Sequence, residues 1–90
     1  MLSTLEKLIK LARDRKSFPV EGSYTNKLLS DKSLSKAKVL EEVDELIEAI
    51  EADTNKIHEA ADVLYHLLMY LEANDIKIED VMAELDKRKK

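Results

Sequence analysis

The sequence contains no cysteine and no tryptophan, and its 90 residues include only one glycine and one proline. Without cysteine neither a disulfide nor a zinc–thiolate site can form, and this composition is typical of a reducing compartment. The segment 2–12 is interrupted by Glu6, Lys7 and Lys10, so it is unlike a signal peptide or a membrane anchor. We therefore expect one cytoplasmic domain, residues 1–90, that does not contact a membrane.

Charge is distributed unevenly along the chain, although the formal net charge is only −4. Residues 1–40 carry nine Lys or Arg against four Asp or Glu, whereas residues 41–62 carry one against nine. A basic segment beside an acidic one suits an anionic substrate that arrives with a divalent cation. Solvated helix faces would give the same pattern, and the acidic total argues against nucleic-acid binding.

Hydrophobic periodicity predicts an all-α domain without a strand. Of the four predicted helices, the first, second and fourth span about residues 4–16, 34–52 and 78–89, and the third contains the apolar stretch 60–71. Ser3 and Glu6 have the spacing of a capping box at the first helix, and Ser33 is the expected cap of the second. Residues 17–33 hold the only proline and the only glycine, so they are predicted to form a loop, with one helical turn at 24–29.

Two groups of carboxylates have the spacing of metal ligands. Glu41, Glu42 and Glu45 lie in the second predicted helix, and Glu59 and Asp62 lie at the start of the third. Side chains three or four residues apart share a helix face, and a helical hairpin can turn both groups toward each other. Because Mg²⁺ prefers carboxylate oxygens and itself binds phosphates, the two groups predict a magnesium site for a phosphate ester. For the first group taken alone, a solvated acidic helix surface is the alternative.

The third predicted helix is apolar on nearly every side from residue 60 to residue 71, so other elements must cover it. Apart from tyrosines, only Asp62 and His66 can ionise there, and they form one stripe with Glu59. A buried carboxylate is costly unless it is paired or binds a metal. A self-sufficient pair of Asp62 and His66 is the alternative, but it leaves Glu59 unexplained. Since so short a chain supplies little cover, we expect a homodimer with the second and third helices at its centre.

Taken together, these motifs resemble the phosphoribosyl-ATP pyrophosphatase family from about residue 5 to residue 87. The most specific parts are Gly-Ser-Tyr-Thr at 22–25 and Tyr-His at 65–66, which accompany both carboxylate groups. Enzymes of this family hydrolyse phosphoribosyl-ATP to phosphoribosyl-AMP and pyrophosphate, the second step of histidine biosynthesis. The carboxylate groups alone would indicate only the wider superfamily of all-α nucleoside triphosphate pyrophosphohydrolases, which includes the MazG-type enzymes.

The resemblance implies a four-helix MazG-like fold, packed as a dimeric bundle, and a Mg²⁺ cofactor. The implied metal ligands are Glu41, Glu42, Glu45, Glu59 and Asp62. The implied substrate-binding residues are Tyr24, Thr25, Lys27 and Lys38. Glu42, on the flank of its helix, is our choice for the catalytic base, and His66 is expected to orient Asp62 by a hydrogen bond rather than to bind the metal.

Two alternatives to this function stay open at the level of sequence. The family usually has glycine where this chain has Leu40, and the leucine is closer to MazG-type sequences. A house-cleaning enzyme for (deoxy)nucleoside triphosphates is therefore one alternative. A non-catalytic helical dimer that carries its acids on the surface is the other, and it predicts that Glu59 and Asp62 can be replaced without loss of function. Because many organisms fuse this activity to the enzyme of the following step, the resemblance also suggests association with that enzyme.

Overall fold

The computed structural model describes residues 2–89, and this part of the chain forms five helices. They are α1 (Ser3–Ser17), α2 (Tyr24–Ser30), α3 (Lys32–Ala52), α4 (Lys56–Ala73) and α5 (Ile78–Lys87). No strand occurs within residues 2–89, so the predicted all-α class is confirmed. The fifth helix arises because residues 24–30 form a seven-residue helix instead of a single turn.

Two of the predicted helix caps are wrong. α3 begins at Lys32 because the Asp31 side chain, rather than Ser33, accepts a hydrogen bond from the backbone N–H of Leu34 at 3.0 Å. An aspartate cap also places negative charge at the positive end of the helix dipole. α1 has no side-chain hydrogen bond at its N-cap, so the predicted capping box is absent from this helix.

A tight connection folds α4 back along α3. Asp53 ends α3 in the left-handed conformation (φ 55°), and Asn55 adopts the same conformation (φ 45°) directly before α4. Asp and Asn tolerate positive φ better than most residues, because their short polar side chains can hydrogen-bond locally. The connection makes α3 and α4 a hairpin, which sets the two carboxylate groups opposite each other.

The hydrophobic core lies where α1, α2 and α4 meet. Its buried residues are Ile9, Ala12, Leu28, Leu29, Leu68 and Met69. Leu34, Tyr65 and Ile78 pack against this cluster. Because Leu28 and Met69 are fully buried, α2 is held against α4 close to the acidic motif of that helix.

Several apolar side chains of the α3–α4 hairpin remain uncovered by α1 and α2. These side chains, which we call the outer face, are 37% to 61% exposed: Leu40, Val43, Ile47, Ile50, Leu64 and Leu67. The residues that α3 buries are instead Ser35, Glu42 and Ala49. An apolar surface of this kind is one that soluble chains cover by association, but the homodimer stays a prediction.

An ion pair and one partly buried side chain, that of Ile78, join α5 to the other helices. The Arg13 guanidinium donates to both Glu79 carboxylate oxygens, at 2.6 and 2.9 Å, and its Nε lies 3.2 Å from a Glu72 carboxylate oxygen. Lys16 donates to the Glu72 carbonyl at 2.7 Å and to Asp75 at 2.9 Å. None of the α5 residues is buried. Among the described helices, none has the length and apolar character needed to cross a membrane.

Candidate active site

The helical hairpin brings the two predicted carboxylate groups together where α3 faces α4. Ligand atoms of Glu41, Glu42 and Glu45 lie within 4.8 Å of one another, and so do those of Glu59 and Asp62 together with His58. The Glu45 carboxylate adjoins both Glu42 and Glu59, so the groups meet at this residue. Spacing along each helix and the fold of the hairpin therefore combine into one acidic cluster.

Two carboxylates of this cluster are held in an unfavourable environment. Burial raises the pKa of Glu42, which is 6% exposed, and the neighbouring Glu45 raises it further by repulsion. The pKa of Glu59 is raised by the same two causes. One carboxylate oxygen of each, Oε2 in both, is buried without a hydrogen-bond partner. Divalent cations bound by the two groups would supply the missing partners and relieve the repulsion, so the donor set fits hard metal ions.

Lys38 places a positive charge at the edge of the acidic cluster. Its Nζ lies 3.1 Å from Glu41 Oε2 and 3.7 Å from Glu42 Oε1. The hydrogen bond to Glu41 raises the pKa of Lys38, so the amine remains charged at neutral pH. The cluster thus combines metal-ligand oxygens with a cation that can contact phosphate.

Tyr24 and His66 connect α2 to α4 beside the carboxylates. The Tyr24 hydroxyl lies 2.8 Å from His66 Nε2, and His66 Nδ1 lies 2.7 Å from the backbone carbonyl oxygen of Asp62. A carbonyl oxygen only accepts, so Nδ1 carries a proton, and in the neutral imidazole Nε2 accepts from the Tyr24 hydroxyl. His66 was expected to bind the carboxylate of Asp62, but it binds the backbone carbonyl oxygen of that residue instead.

His58 is a residue that the sequence analysis did not select. Its Nε2 lies 3.3 Å from Asp62 Oδ2, which makes it the imidazole that contacts this carboxylate. The signal in the sequence is the spacing of four residues between His58 and Asp62. Nothing local distinguishes this pair from an ordinary surface pair, because the His58 side chain is 72% exposed.

The other predicted substrate-binding residues lie on two sides of α2. Thr25 Oγ1 lies 2.6 Å from the Tyr65 hydroxyl, so this side chain faces α4. Lys27 lines an open pocket of about 530 Å³ between α2 and the loop before it. Tyr24 contributes to the wall of this pocket and also contacts His66. Tyr24 is therefore the residue that links the pocket to the acidic cluster.

Carboxylates that face each other across a helical hairpin, with Glu42 buried among them, agree with the class of all-α pyrophosphohydrolases. Comparison with known proteins is more specific: the family model described as phosphoribosyl-ATP pyrophosphohydrolase matches residues 3–89. The chain belongs to this family. The family, fold and enzyme class predicted from the motifs are thereby confirmed.

Curated relatives cover nearly the whole chain. The phosphoribosyl-ATP pyrophosphatase of Clostridium acetobutylicum is 46% identical over 93% of this chain and 79% of its own length. The enzyme of the same name from Halobacterium salinarum is 39% identical over 99% of this chain and its own full length. The histidine biosynthesis bifunctional protein HisIE of Pyrococcus furiosus is 42% identical over 99% of this chain, which spans only 43% of that relative. No solved structure matches the chain significantly.

Proposed function

We propose that the chain hydrolyses phosphoribosyl-ATP to phosphoribosyl-AMP and pyrophosphate, in the cytoplasm and with Mg²⁺ as cofactor. The observation that carries this proposal is the pair of buried, unpartnered carboxylate oxygens of Glu42 and Glu59 on facing helices. Burial of such groups is costly, and a cation-dependent function explains why the fold retains them. The names of the relatives supply the substrate.

Five carboxylates would hold the metal: Glu41, Glu42, Glu45, Glu59 and Asp62. Mg²⁺ bound there supplies charge neutralisation at phosphate oxygens and acidifies bound water. The partly exposed Glu41 and the buried Glu42 give the site an open side and a closed side. An anionic substrate can then approach from the open side.

In the proposed reaction, Glu42 is the general base. Its pKa is raised by burial, so its carboxylate accepts a proton more readily than an exposed one does. Glu42 takes the proton of the attacking water, whose oxygen forms a bond to the α-phosphorus while the α–β anhydride bond breaks. The charged Lys38, 3.7 Å from Glu42, holds phosphate oxygens of the departing pyrophosphate.

The substrate would lie across Tyr24, with its phosphates toward the acidic cluster and the rest toward the pocket that Lys27 lines. Leu40 does not disturb this arrangement. It is 61% exposed and lies two residues from Glu42, so the two side chains point to nearly opposite sides of α3. The substitution at this position therefore gives no reason to prefer nucleoside triphosphates as substrates.

Assembly is part of the same proposal. The outer face is the surface through which two chains would form a homodimer, because its exposed apolar residues continue along both helices of the hairpin. The bifunctional relative supports association with another enzyme of histidine biosynthesis.

Pyrophosphate release tests the proposal directly. The chain should release pyrophosphate from phosphoribosyl-ATP in Mg²⁺, and EDTA should abolish the reaction. A panel of nucleoside triphosphates, assayed at the same concentrations, should be turned over poorly. Faster turnover of those nucleotides would contradict the proposed substrate. No turnover of phosphoribosyl-ATP or of any nucleoside triphosphate would contradict enzymatic function.

A further inference from the structure

One asparagine side chain joins three segments of the chain next to the candidate active site. Asn26 Oδ1 accepts a hydrogen bond from the backbone N–H of Val20, and Asn26 Nδ2 donates to the carbonyl oxygen of Arg15, both at 2.8 Å. Arg15 lies in the last turn of α1, Val20 in the loop, and Asn26 in the first turn of α2. The amide thus uses its acceptor and its donor for two different segments.

Ser23 adds two hydrogen bonds to the same arrangement. Its Oγ accepts from the backbone N–H of Asn26 at 3.2 Å and from Arg15 Nη1 at 2.7 Å. We call the hydrogen bonds among Arg15, Val20, Ser23 and Asn26 the loop clasp. Together they fix both ends of the loop to the helices that flank it.

Besides the loop clasp, this segment is restrained by two backbone hydrogen bonds, from Phe18 to Asp14 and from Ser23 to Val20. Phe18 and Val20 are 78% and 48% exposed, so the loop has few buried apolar side chains. Gly22 adopts a φ of +80°, a conformation that glycine enters without steric cost but that does not by itself restrain the chain. The position of the loop therefore depends on its hydrogen bonds.

Tyr24 and Thr25 lie between Ser23 and Asn26, so the loop clasp restrains the first turn of α2, whereas the buried Leu28 and Leu29 hold the rest of this helix. Tyr24 contacts His66 at 2.8 Å and Thr25 contacts Tyr65 at 2.6 Å. These two partners lie three and four residues after Asp62, on the helix that carries the second carboxylate group. A shift of the loop would move Tyr24 relative to the acidic cluster and would reshape the pocket, which Asn26 itself lines.

We propose that Asn26 is a positioning residue for hydrolysis of the substrate, because it fixes Tyr24 and the pocket wall in one geometry relative to the carboxylates. This inference rests on the proposed function. Only an amide meets both requirements: alanine loses both hydrogen bonds, and aspartate can accept from Val20 but repels the Arg15 carbonyl. Asn26→Ala and Asn26→Asp therefore separate the loss of the whole link from the loss of its donor.

The test compares KM and kcat for phosphoribosyl-ATP in the wild type and in these two variants. Asn74→Ala is the matched control, since Asn74 Nδ2 also donates to a backbone carbonyl at 2.8 Å, that of Tyr70, at the far end of α4. We expect Asn26→Ala to lower kcat/KM on the order of 10- to 100-fold, mainly through KM, because a misplacement of about 1 Å can have this effect. Asn74→Ala should stay within about 2-fold of the wild type, as expected for a change remote from the site.

Measuring KM and kcat separately distinguishes a loss of substrate positioning from a loss of folded protein. A variant that merely contains less folded protein loses apparent kcat but keeps its KM. Mg²⁺ affinity, measured by calorimetry without substrate, should be unchanged in Asn26→Ala, and amide exchange should accelerate at residues 20–26 but not at 41–66.

Two results would overturn the inference while leaving the proposed function intact. One is a wild-type KM in Asn26→Ala, and the other is an equal loss in Asn74→Ala. A wild-type protein that releases no pyrophosphate from phosphoribosyl-ATP would overturn the proposed function, and the role of Asn26 in it as well.

Discussion

The two faces of α3 are arranged in the reverse of the usual order for a single soluble chain. The side of α3 that carries Glu42 and Glu45 toward α4, which we call the inner face, buries Glu42 to 6% exposure. On the outer face, Ile47 and Ile50 are 48% and 56% exposed. A chain selected for its own stability alone would bury the isoleucines and expose the glutamate. Under the proposed function, a bound cation would complete the inner face, and a second chain would cover the outer face.

The two deficits differ in their physical nature. A buried carboxylate without a partner loses hydration energy, which an ion at the correct position restores. Removing a fully exposed isoleucine from water is favourable by about 1.5 to 3 kcal/mol, without directional requirements, and the half-exposed Ile47 and Ile50 can gain part of this. The inner face would therefore select an ion by its geometry and charge. The outer face would select a partner surface by its shape and apolar area.

The largest effect should follow from changing the inner face while the outer face is kept. We expect Glu42→Gln to lower kcat by about 10²- to 10⁴-fold, the range typical of a lost general base. The melting temperature without metal should stay the same or rise, because the neutral amide removes repulsion from Glu45. Pyrophosphate release and thermal unfolding check the two expectations.

Glu48→Gln is the matched control for that change. Glu48 is an exposed acid of the same helix, outside both groups of close-lying ligand atoms. Its replacement should leave kcat close to that of the wild type. Equal losses in both variants would mean that the total charge of α3, rather than the buried carboxylate, supports activity.

The outer face is tested by a charge at its centre. Ile47→Lys should weaken dimerisation at least about 30-fold, the effect of losing a central interface residue. Sedimentation or light scattering over a range of concentrations measures this change. Ile76→Lys introduces the same charge at an isoleucine that is 45% exposed but lies between α4 and α5, so it should remain dimeric. A wild type that is monomeric at all concentrations would contradict the proposed assembly.

Sequence periodicity was sufficient for four of the five helices that the structure describes, but not for α2 or for the orientation of α3. The apolar stripe with Val43 and Ile47 is evident in the sequence, yet periodicity does not distinguish cover by the same chain from cover by a second one. α2 was expected as one turn, because its stability comes from burying Leu28 and Leu29 rather than from local pattern. Tertiary packing, which single-sequence patterns do not contain, decided both features.

The candidate site also has a part that the sequence predicts and a part that it does not. The carboxylates were predictable because spacings of three and four residues place Glu42 beside Glu45 and Glu59 beside Asp62. The contact between Tyr24 and His66 joins residues 42 positions apart, so no local rule gives its geometry. The link made by Asn26 depends on where the loop returns to α1, which the sequence does not specify.

The smallest expected effect concerns pH and sharpens the description of the inner face. The pKa values of Glu42 and Glu59 are raised in the folded protein above their usual value of 4.5, so the folded state binds more protons than the unfolded state above that pH. Without metal, both groups should therefore make the protein more stable as the pH falls from neutral toward about 4.5. The ion pair of Glu79 acts in the opposite sense but at lower pH, because Arg13 lowers the pKa of Glu79 to about 2.

Thermal unfolding in EDTA between pH 7.5 and 5 measures this trend, and Glu42→Gln isolates it. The difference in stability between wild type and variant carries the prediction, because groups other than Glu42 affect both proteins alike. The difference should shrink as the pH falls, because the wild-type Glu42 then becomes neutral as well. Saturating Mg²⁺ should reverse the trend, since protons compete with the metal for the same oxygens. A pH-independent difference would show that Glu42 is solvated in solution, and the contrast between the two faces of α3 would then rest on the outer face alone.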